Sequence, residues 1–238
     1  MRPINRGMSD EVYQRYQDAK PDLVEKLGTY CSYCERLIPT NLAVEHILPK
    51  DPNVGNPELE NEWTNFLLSC VNCNSAKGTT VISFENYLLP DRDNTFLAFE
   101  YLETGEVEIS SKIIGAEQET WAKNTRDLVG LDKTTHQNWN EKHLFTALER
   151  VTQRIATWMQ AKEAREDYDN GEVNVRRVCR EAASRGFFSI WMKAFEGVVE
   201  VRAKLIEEFI GTSKDCFDNN GNPISPRMGC DLENGSKL

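Results

Sequence analysis

Cys31-Ser32-Tyr33-Cys34 and Cys70-Val71-Asn72-Cys73 decide how this chain is read. Each is a Cys-x-x-Cys pair, and together they offer four thiolates, the ligand set of a tetrahedral zinc site. Three other cysteines, Cys179, Cys216 and Cys230, stand alone. An odd cysteine count with paired spacing argues for a metal site rather than a disulfide framework. Charges run through residues 1–30, which reads as a chain without a secretory signal and places it in the cytoplasm. The blander reading is four unrelated reduced thiols, which two such pairs seldom form by chance. The 35 residues between Cys34 and Cys70 exceed the usual spacing of a zinc ribbon and leave room for a catalytic insert.

Around these knuckles lies a chain of ordinary globular composition. Its 238 residues are 39% hydrophobic and 28% charged, enough for a core that needs no disulfides. The longest apolar runs, such as Phe66-Leu67-Leu68, fall far short of the ~20 residues of a membrane span. The net charge is −10 and no long segment is basic, so the whole molecule has no general attraction for nucleic acid. A nucleic-acid site would have to be local or completed by a partner.

The pattern of apolar residues and turn signals predicts an α+β chain. A helix is expected over residues 9–28, capped by Ser9 and ended by Gly28. Residues 42–48 read as a strand, 51–62 as a loop, and the segment from Cys73 to Lys77 as the start of a short helix. Residues 96–101 and 107–109 read as a hairpin around the Glu103–Glu106 turn. Helices follow near 117–128, 139–166, 173–184 and 189–209, before an irregular tail. In the longest, Leu144, Ala147, Leu148, Val151, Ile155 and Trp158 share one face and are expected to point inward. Residues 1–90 are read as a metal-pinned module with an N-terminal helix. Residues 91–238 are read as a hairpin plus a mostly helical docking region, with no obvious linker between the two.

Between and beside the knuckles lie Glu45-His46, Asn65 in Asn65-Phe66-Leu67-Leu68-Ser69-Cys70, and Asn74 followed by Lys77-Gly78. Each is weak alone. A Glu-His dipeptide is usually a surface pair or a satisfied core histidine, Asn65 a turn residue, Asn74 a helix cap and Lys77 a solvated helix-end lysine. As a set they suit phosphodiester hydrolysis, which needs a base for water, a cation for developing charge, and groups that hold both in line. His46 titrates near neutrality and suits the base. Glu45 and Asn74 offer hard oxygen ligands for Mg²⁺ or Mn²⁺, and Lys77 could reach a flanking phosphate. Neighbouring strand residues face opposite ways, so Glu45 and His46 can share a site only at a strand end or bulge.

In this order the motifs resemble the HNH endonuclease family over about residues 31–78, with His46, Asn65 and Asn74 at the three name positions. The resemblance implies a zinc-pinned ββα-metal module with structural Zn²⁺ on Cys31, Cys34, Cys70 and Cys73. It also implies that Asn65 orients the His46 imidazole. Weaker likenesses at Met1–Gly7, Pro90–Thr95, Leu128–Asp132 and Phe209–Phe217 resemble the HNH nuclease subunit (PtuB-type) of Septu and retron-associated antiphage systems. That resemblance implies an ABC- or SMC-like ATPase partner (PtuA-type) and a role in antiviral defence. The chain has no Walker A pattern of its own.

Arg176, Arg177, Arg180 and Arg185 form the one local basic cluster. It is either a nucleic-acid or partner contact, or a solvated face paired with Glu172 and Glu181. Trp139, Trp158 and Trp191 read as core, and His136 and His143 as surface residues. The expected activity is a metal-dependent endonuclease acting on DNA. The alternatives are a non-catalytic zinc module, which would have no use for Glu45, His46, Asn65 and Asn74 together, and a stand-alone HNH nuclease or one acting on RNA. A stand-alone nuclease would favour a basic recognition region, which does not appear.

Overall fold

A computed structural model describes residues 1–133 and 141–238, except for the side chains of 141–143 and 146. Trp139 and His136 lie outside these residues, as does the His143 side chain.

The chain enters in extended form, with Ile4 bridged to Thr212. A 3₁₀ turn then leads into α1 (Lys20–Leu27). The helix expected over 9–28 is therefore confined to its second half. Pro21 sits at the first turn of α1, where a missing N–H costs nothing, and so marks a start rather than an interior. Tyr13, upstream, packs against Trp63 and Phe66 instead of joining a helix.

Strands β1 (Ala43–His46) and β2 (Phe66–Ser69) pair antiparallel, with Ala43 opposite Ser69 and His46 opposite Phe66. Helix α2 (Val71–Lys77) leaves directly from β2, completing a ββα unit. A four-residue helix α3 (Thr95–Ala98) precedes the hairpin of β3 (Phe99–Tyr101) and β4 (Val107–Ile109).

Five helices follow: α4 (Ala116–Leu128), α5 (Glu141–Asp169), α6 (Val175–Arg185), α7 (Phe188–Ala194) and α8 (Val199–Glu208). The single helix expected over 189–209 is thus two. The chain breaks at Gly197, whose φ of +86° no helix accommodates.

The inward face of α5 also differs from expectation. Leu144 and Leu148 are exposed, while Ala147, Arg150, Val151, Arg154, Trp158, Ala161 and Ala164 are buried. The stripe is rotated because two arginines on it serve buried acceptors. Arg154 donates to the Gly105 carbonyl at 2.5 Å, and Arg150 donates to the Val129 and Gly130 carbonyls at 3.3 and 3.0 Å. Trp158 and Trp191 are core, as expected. Buried apolar side chains from the ββα unit, α1 and the C-terminal helices form one continuous cluster. No described helix is long and apolar enough to cross a membrane.

Candidate active site and metal centre

The four knuckle cysteines converge. Their sulfur atoms all lie within 4.8 Å of one another and all four residues are buried. Cys34 Sγ and Cys70 Sγ are 3.7 Å apart, and four sulfurs at ~2.3 Å from a tetrahedral zinc ion would be spaced by about 3.8 Å. The donor set and its spacing therefore fit structural zinc.

The chain also supplies the charge such a centre needs. A Zn(Cys)₄ site carries two net negative charges, which are costly to bury unpaired. Arg150 reaches from α5 to donate to Cys73 Sγ at 3.2 Å. Burial works against its charge, but the field of the four cysteines outweighs this and raises its pKa. Arg36 is raised in the same way, with Cys34 and Cys70 prevailing over burial.

The first knuckle is clamped by the turn between α6 and α7. Glu35 follows Cys34 with φ at +64°, a strained value for a residue with a side chain. Its carbonyl accepts the Phe187 N–H at 2.9 Å, and its carboxylate accepts from Ser189 N and Oγ at 2.8 and 2.6 Å. Gly186 makes this approach possible, since a Cβ there would lie 2.6 Å from Leu37 N and 2.7 Å from Glu35 O.

The ββα unit frames a cavity of about 490 Å³, lined among others by Glu45, His46, Lys50, Asn74 and Lys77. His46 is the last residue of β1, so the strand end lets it share the cavity with Glu45. Its Nε2 lies 2.8 Å from the Glu60 carbonyl. A carbonyl only accepts, so the ring proton sits on Nε2 and the lone pair of the neutral ring is on Nδ1. The rings of Tyr16 and Phe66 meet the imidazole edge-on, with centroids 4.8 and 5.3 Å away. Burial lowers the His46 pKa, the Glu60 carbonyl opposes this, and the Lys50 charge adds to it.

Asn65 makes no hydrogen bond to the imidazole. Its Nδ2 donates to the Leu48 and Leu59 carbonyls at 3.0 and 3.2 Å, and its Oδ1 accepts the Leu48 N–H at 2.8 Å. It staples the two ends of the loop that follows β1. Because Leu59 adjoins Glu60, the staple also holds the carbonyl that orients His46.

Lys77 is neither solvated nor free for a phosphate. It is buried, lies 3.0 Å from Glu45 Oε1, and donates to the His46 carbonyl at 2.7 Å. The last turn of α2 is thereby clasped to the end of β1. Burial raises the Glu45 pKa, and Lys77 counters it.

Among the described residues the carboxylate of Glu45 accepts no well-aligned hydrogen bond, and its buried Oε1 is ion-paired with the Lys77 ammonium. Asn74 lines the same cavity, and its side chain makes no hydrogen bond among the described residues. The Glu45 carboxylate and the Asn74 amide are hard oxygen donors on one cavity and fit an Mg²⁺ or Mn²⁺ ion.

Sequence reasoning missed Arg36, Arg150 and Glu35. Arg150 and Arg154 do carry a signal, being charged residues at i, i+4 on an otherwise small and apolar face. Arg6 was also missed. It donates to Asp91 at 2.8 Å and to the Thr64 carbonyl at 2.5 Å, bracing the turn that carries Asn65.

Arg176, Arg177, Arg180 and Arg185 lie far along the chain from this cavity. All four are exposed, and none pairs with Glu172 or Glu181. Arg176, Arg177 and Arg180 line a separate hollow with Asn174, Glu181 and Ser184.

Residues 31–80 match the family model described as HNH endonuclease. No curated protein matches the chain. The matched segment contains both knuckles, β1, β2, α2 and every described residue lining the cavity except Tyr16. Residues 31–80 are therefore an HNH endonuclease domain, a unit of a family of phosphodiester hydrolases.

Proposed function

We propose that the chain is a divalent-metal-dependent endonuclease that hydrolyses phosphodiester bonds in DNA, with His46 as general base. The observation that carries this reading is the Nε2–Glu60 contact at 2.8 Å. It leaves Nδ1 as the unprotonated nitrogen of a ring lining the cavity that also holds Glu45 and Asn74. In the reaction, Nδ1 takes a proton from water as the water oxygen bonds to phosphorus. The bond from phosphorus to the leaving sugar oxygen breaks, and that oxygen takes up a proton from solvent water. Glu45 and Asn74 would hold a Mg²⁺ or Mn²⁺ ion, which supplies charge stabilisation at the phosphoryl oxygens when bound. Asn65 and Lys77 act through the backbone, fixing the loop and strand end that carry the base. Zinc on the four cysteines keeps the ββα unit folded and takes no part in the chemistry.

The finer reading is an effector of antiviral defence, acting with an ABC- or SMC-like ATPase. Its support is the likeness of stretches outside the nuclease motif to PtuB-type subunits, together with the absence of a Walker A pattern here. In this reading residues 1–90 form the nuclease module and 91–238 the docking region.

The test is cleavage of plasmid DNA and of RNA by the zinc-loaded protein, with Mg²⁺ or Mn²⁺, with and without the ATPase. Metal-dependent DNA cleavage is expected. Cleavage only with the ATPase supports the defence complex, and cleavage of RNA alone replaces the substrate assignment. Zinc-loaded protein inert under every condition favours a binding module.

A further inference from the structure

We propose that Arg176, Arg177 and Arg180 on α6 form a docking site for the phosphodiester backbone of the nucleic-acid substrate, outside the catalytic cavity. This rests on the nuclease reading above and adds where the polyanion is held.

Pairing sets these arginines apart from the others in the chain. Arg2, Arg6, Arg15, Arg36, Arg92, Arg126, Arg150, Arg154, Arg165, Arg202 and Arg227 each donate a hydrogen bond to a protein acceptor. Arg176, Arg177, Arg180 and Arg185 are the remaining arginines of the sequence. None of their side chains makes a hydrogen bond, ion pair or ring contact among the described residues. Acids are near enough in sequence to serve, since Glu181 lines the same hollow and Glu172 precedes the helix. In a chain of net charge −10, the arginines whose side chains are unpaired among the described residues all belong to this one helix.

Helix stability does not account for the placement. The first turn of α6 contains no acid, and Arg176 and Arg177 stand there, at the end of the helix dipole where a positive charge is unfavourable. Asn174 already caps the helix by accepting the Arg177 N–H. The side chains of Arg176, Arg177 and Arg180 instead converge on a hollow of about 470 Å³ with Asn174 and Ser184, which add hydrogen-bonding groups. Guanidinium groups around a concave surface suit phosphate oxygens, which they can bind in a bidentate manner.

Apart from the divalent ion proposed for it, the catalytic cavity offers little to hold a polyanion. Lys77 is committed to Glu45 and Lys50 to Glu60, at 3.0 and 2.5 Å. With Asp51 also on its wall, the cavity has no free cation among its described residues. A polyanionic substrate therefore needs charge from elsewhere on the chain, and α6 has it. The helix is fixed relative to the nuclease domain, because Gly186 at its end bridges Arg36 and Tyr30 Oη donates to the Ala183 carbonyl at 2.8 Å. At ~1.5 Å per residue, Arg180 stands about 9 Å along the axis from Gly186.

The experiment measures binding apart from cleavage. A fluorescein-labelled 30-base-pair DNA duplex is titrated by anisotropy with full-length His46→Ala protein, alone and combined with Arg176→Gln, Arg177→Gln and Arg180→Gln. Salt is varied from 50 to 200 mM. All three substituted side chains are exposed, so folding and zinc content are expected to be unchanged. Loss of three phosphate contacts should flatten the slope of log K against log salt by about 2.7 and weaken binding at least tenfold at 100 mM salt. An Arg15→Gln control should leave both unchanged. In the parent enzyme the same triple change should raise KM and spare kcat. Equal affinity and slope with and without the three arginines would overturn the proposal while leaving the nuclease reading intact, and would assign the patch to an acidic protein partner. Failure of the His46→Ala protein to bind DNA or an RNA duplex at 50 mM salt overturns it as well. Cleavage by the parent then tells whether the nuclease reading survives.

Discussion

Replacing Lys77 by Met removes the ammonium that lies 3.0 Å from Glu45 Oε1 and donates to the His46 carbonyl at 2.7 Å. Both partners of the ion pair are almost wholly buried. Removing one partner of such a pair costs about 3–5 kcal/mol, because the other charge is left in a poorly solvated site. This is a large share of a typical domain stability of about 5–15 kcal/mol. The Glu45 pKa is already raised by burial and is restrained by Lys77, so loss of Lys77 raises it further. A carboxyl whose folded pKa exceeds its unfolded value contributes stability below the unfolded pKa, about 4.3, and loses it as pH rises through the folded pKa. The deficit of Lys77→Met should therefore be greatest near pH 7 and shrink towards pH 4.5. Urea unfolding of the zinc-loaded protein at several pH values measures this. A cycle with Glu45→Gln should show coupling of at least ~2 kcal/mol, since the neutral amide no longer needs the cation. A cost below ~1 kcal/mol, additive with that of Glu45→Gln and independent of pH, would refute the clasp.

Three further outcomes are expected. Because burial holds the His46 pKa below its ordinary 6.5, the neutral base persists into mildly acidic solution. The acid limb of kcat/KM should have its midpoint below pH 6.5, and Lys50→Gln, which removes a charge that depresses it, should move that midpoint up. Arg150→Met leaves the Val129 and Gly130 carbonyls and Cys73 Sγ without their donor. Each buried acceptor costs about 1–3 kcal/mol, and zinc affinity should fall about 10–100-fold in a chelator competition. Gly186→Ala places a Cβ 2.6 Å from Leu37 N at a residue whose φ is +78°. It should cost about 1–3 kcal/mol, read by thermal unfolding, and loosen zinc at the first knuckle.

The nuclease module was legible because its chemistry is written locally. Two Cys-x-x-Cys pairs, Glu45-His46, Asn65 and Asn74 sit within one short stretch, and the strand-end placement of His46 followed from the alternation of strand side chains. What supports the module was hidden because it arrives from far along the chain. Arg150 comes from α5, and the Glu35 clamp comes from the α6–α7 turn; spacing alone reveals neither. Lys77 read as a phosphate contact or a solvated helix-end lysine, and only the folded unit shows its end facing β1. Asn65 bonds the Leu48 and Leu59 backbone rather than the imidazole, whose Nε2 is already occupied by the Glu60 carbonyl. Two helix boundaries were readable and passed over: Pro21 inside the first expected helix and Gly197 inside the last.

The central claim is that His46 activates water in a zinc-pinned HNH site. The most direct test is single-turnover cleavage of DNA by wild-type and His46→Ala proteins, each shown to carry one zinc per chain and matched in thermal stability, with Mn²⁺ present. The account predicts metal-dependent cleavage by the wild type and a loss of about 10²-fold or more in rate for the variant, the usual worth of a general base. A zinc-loaded, folded His46→Ala protein that cleaves as fast as wild type would contradict it.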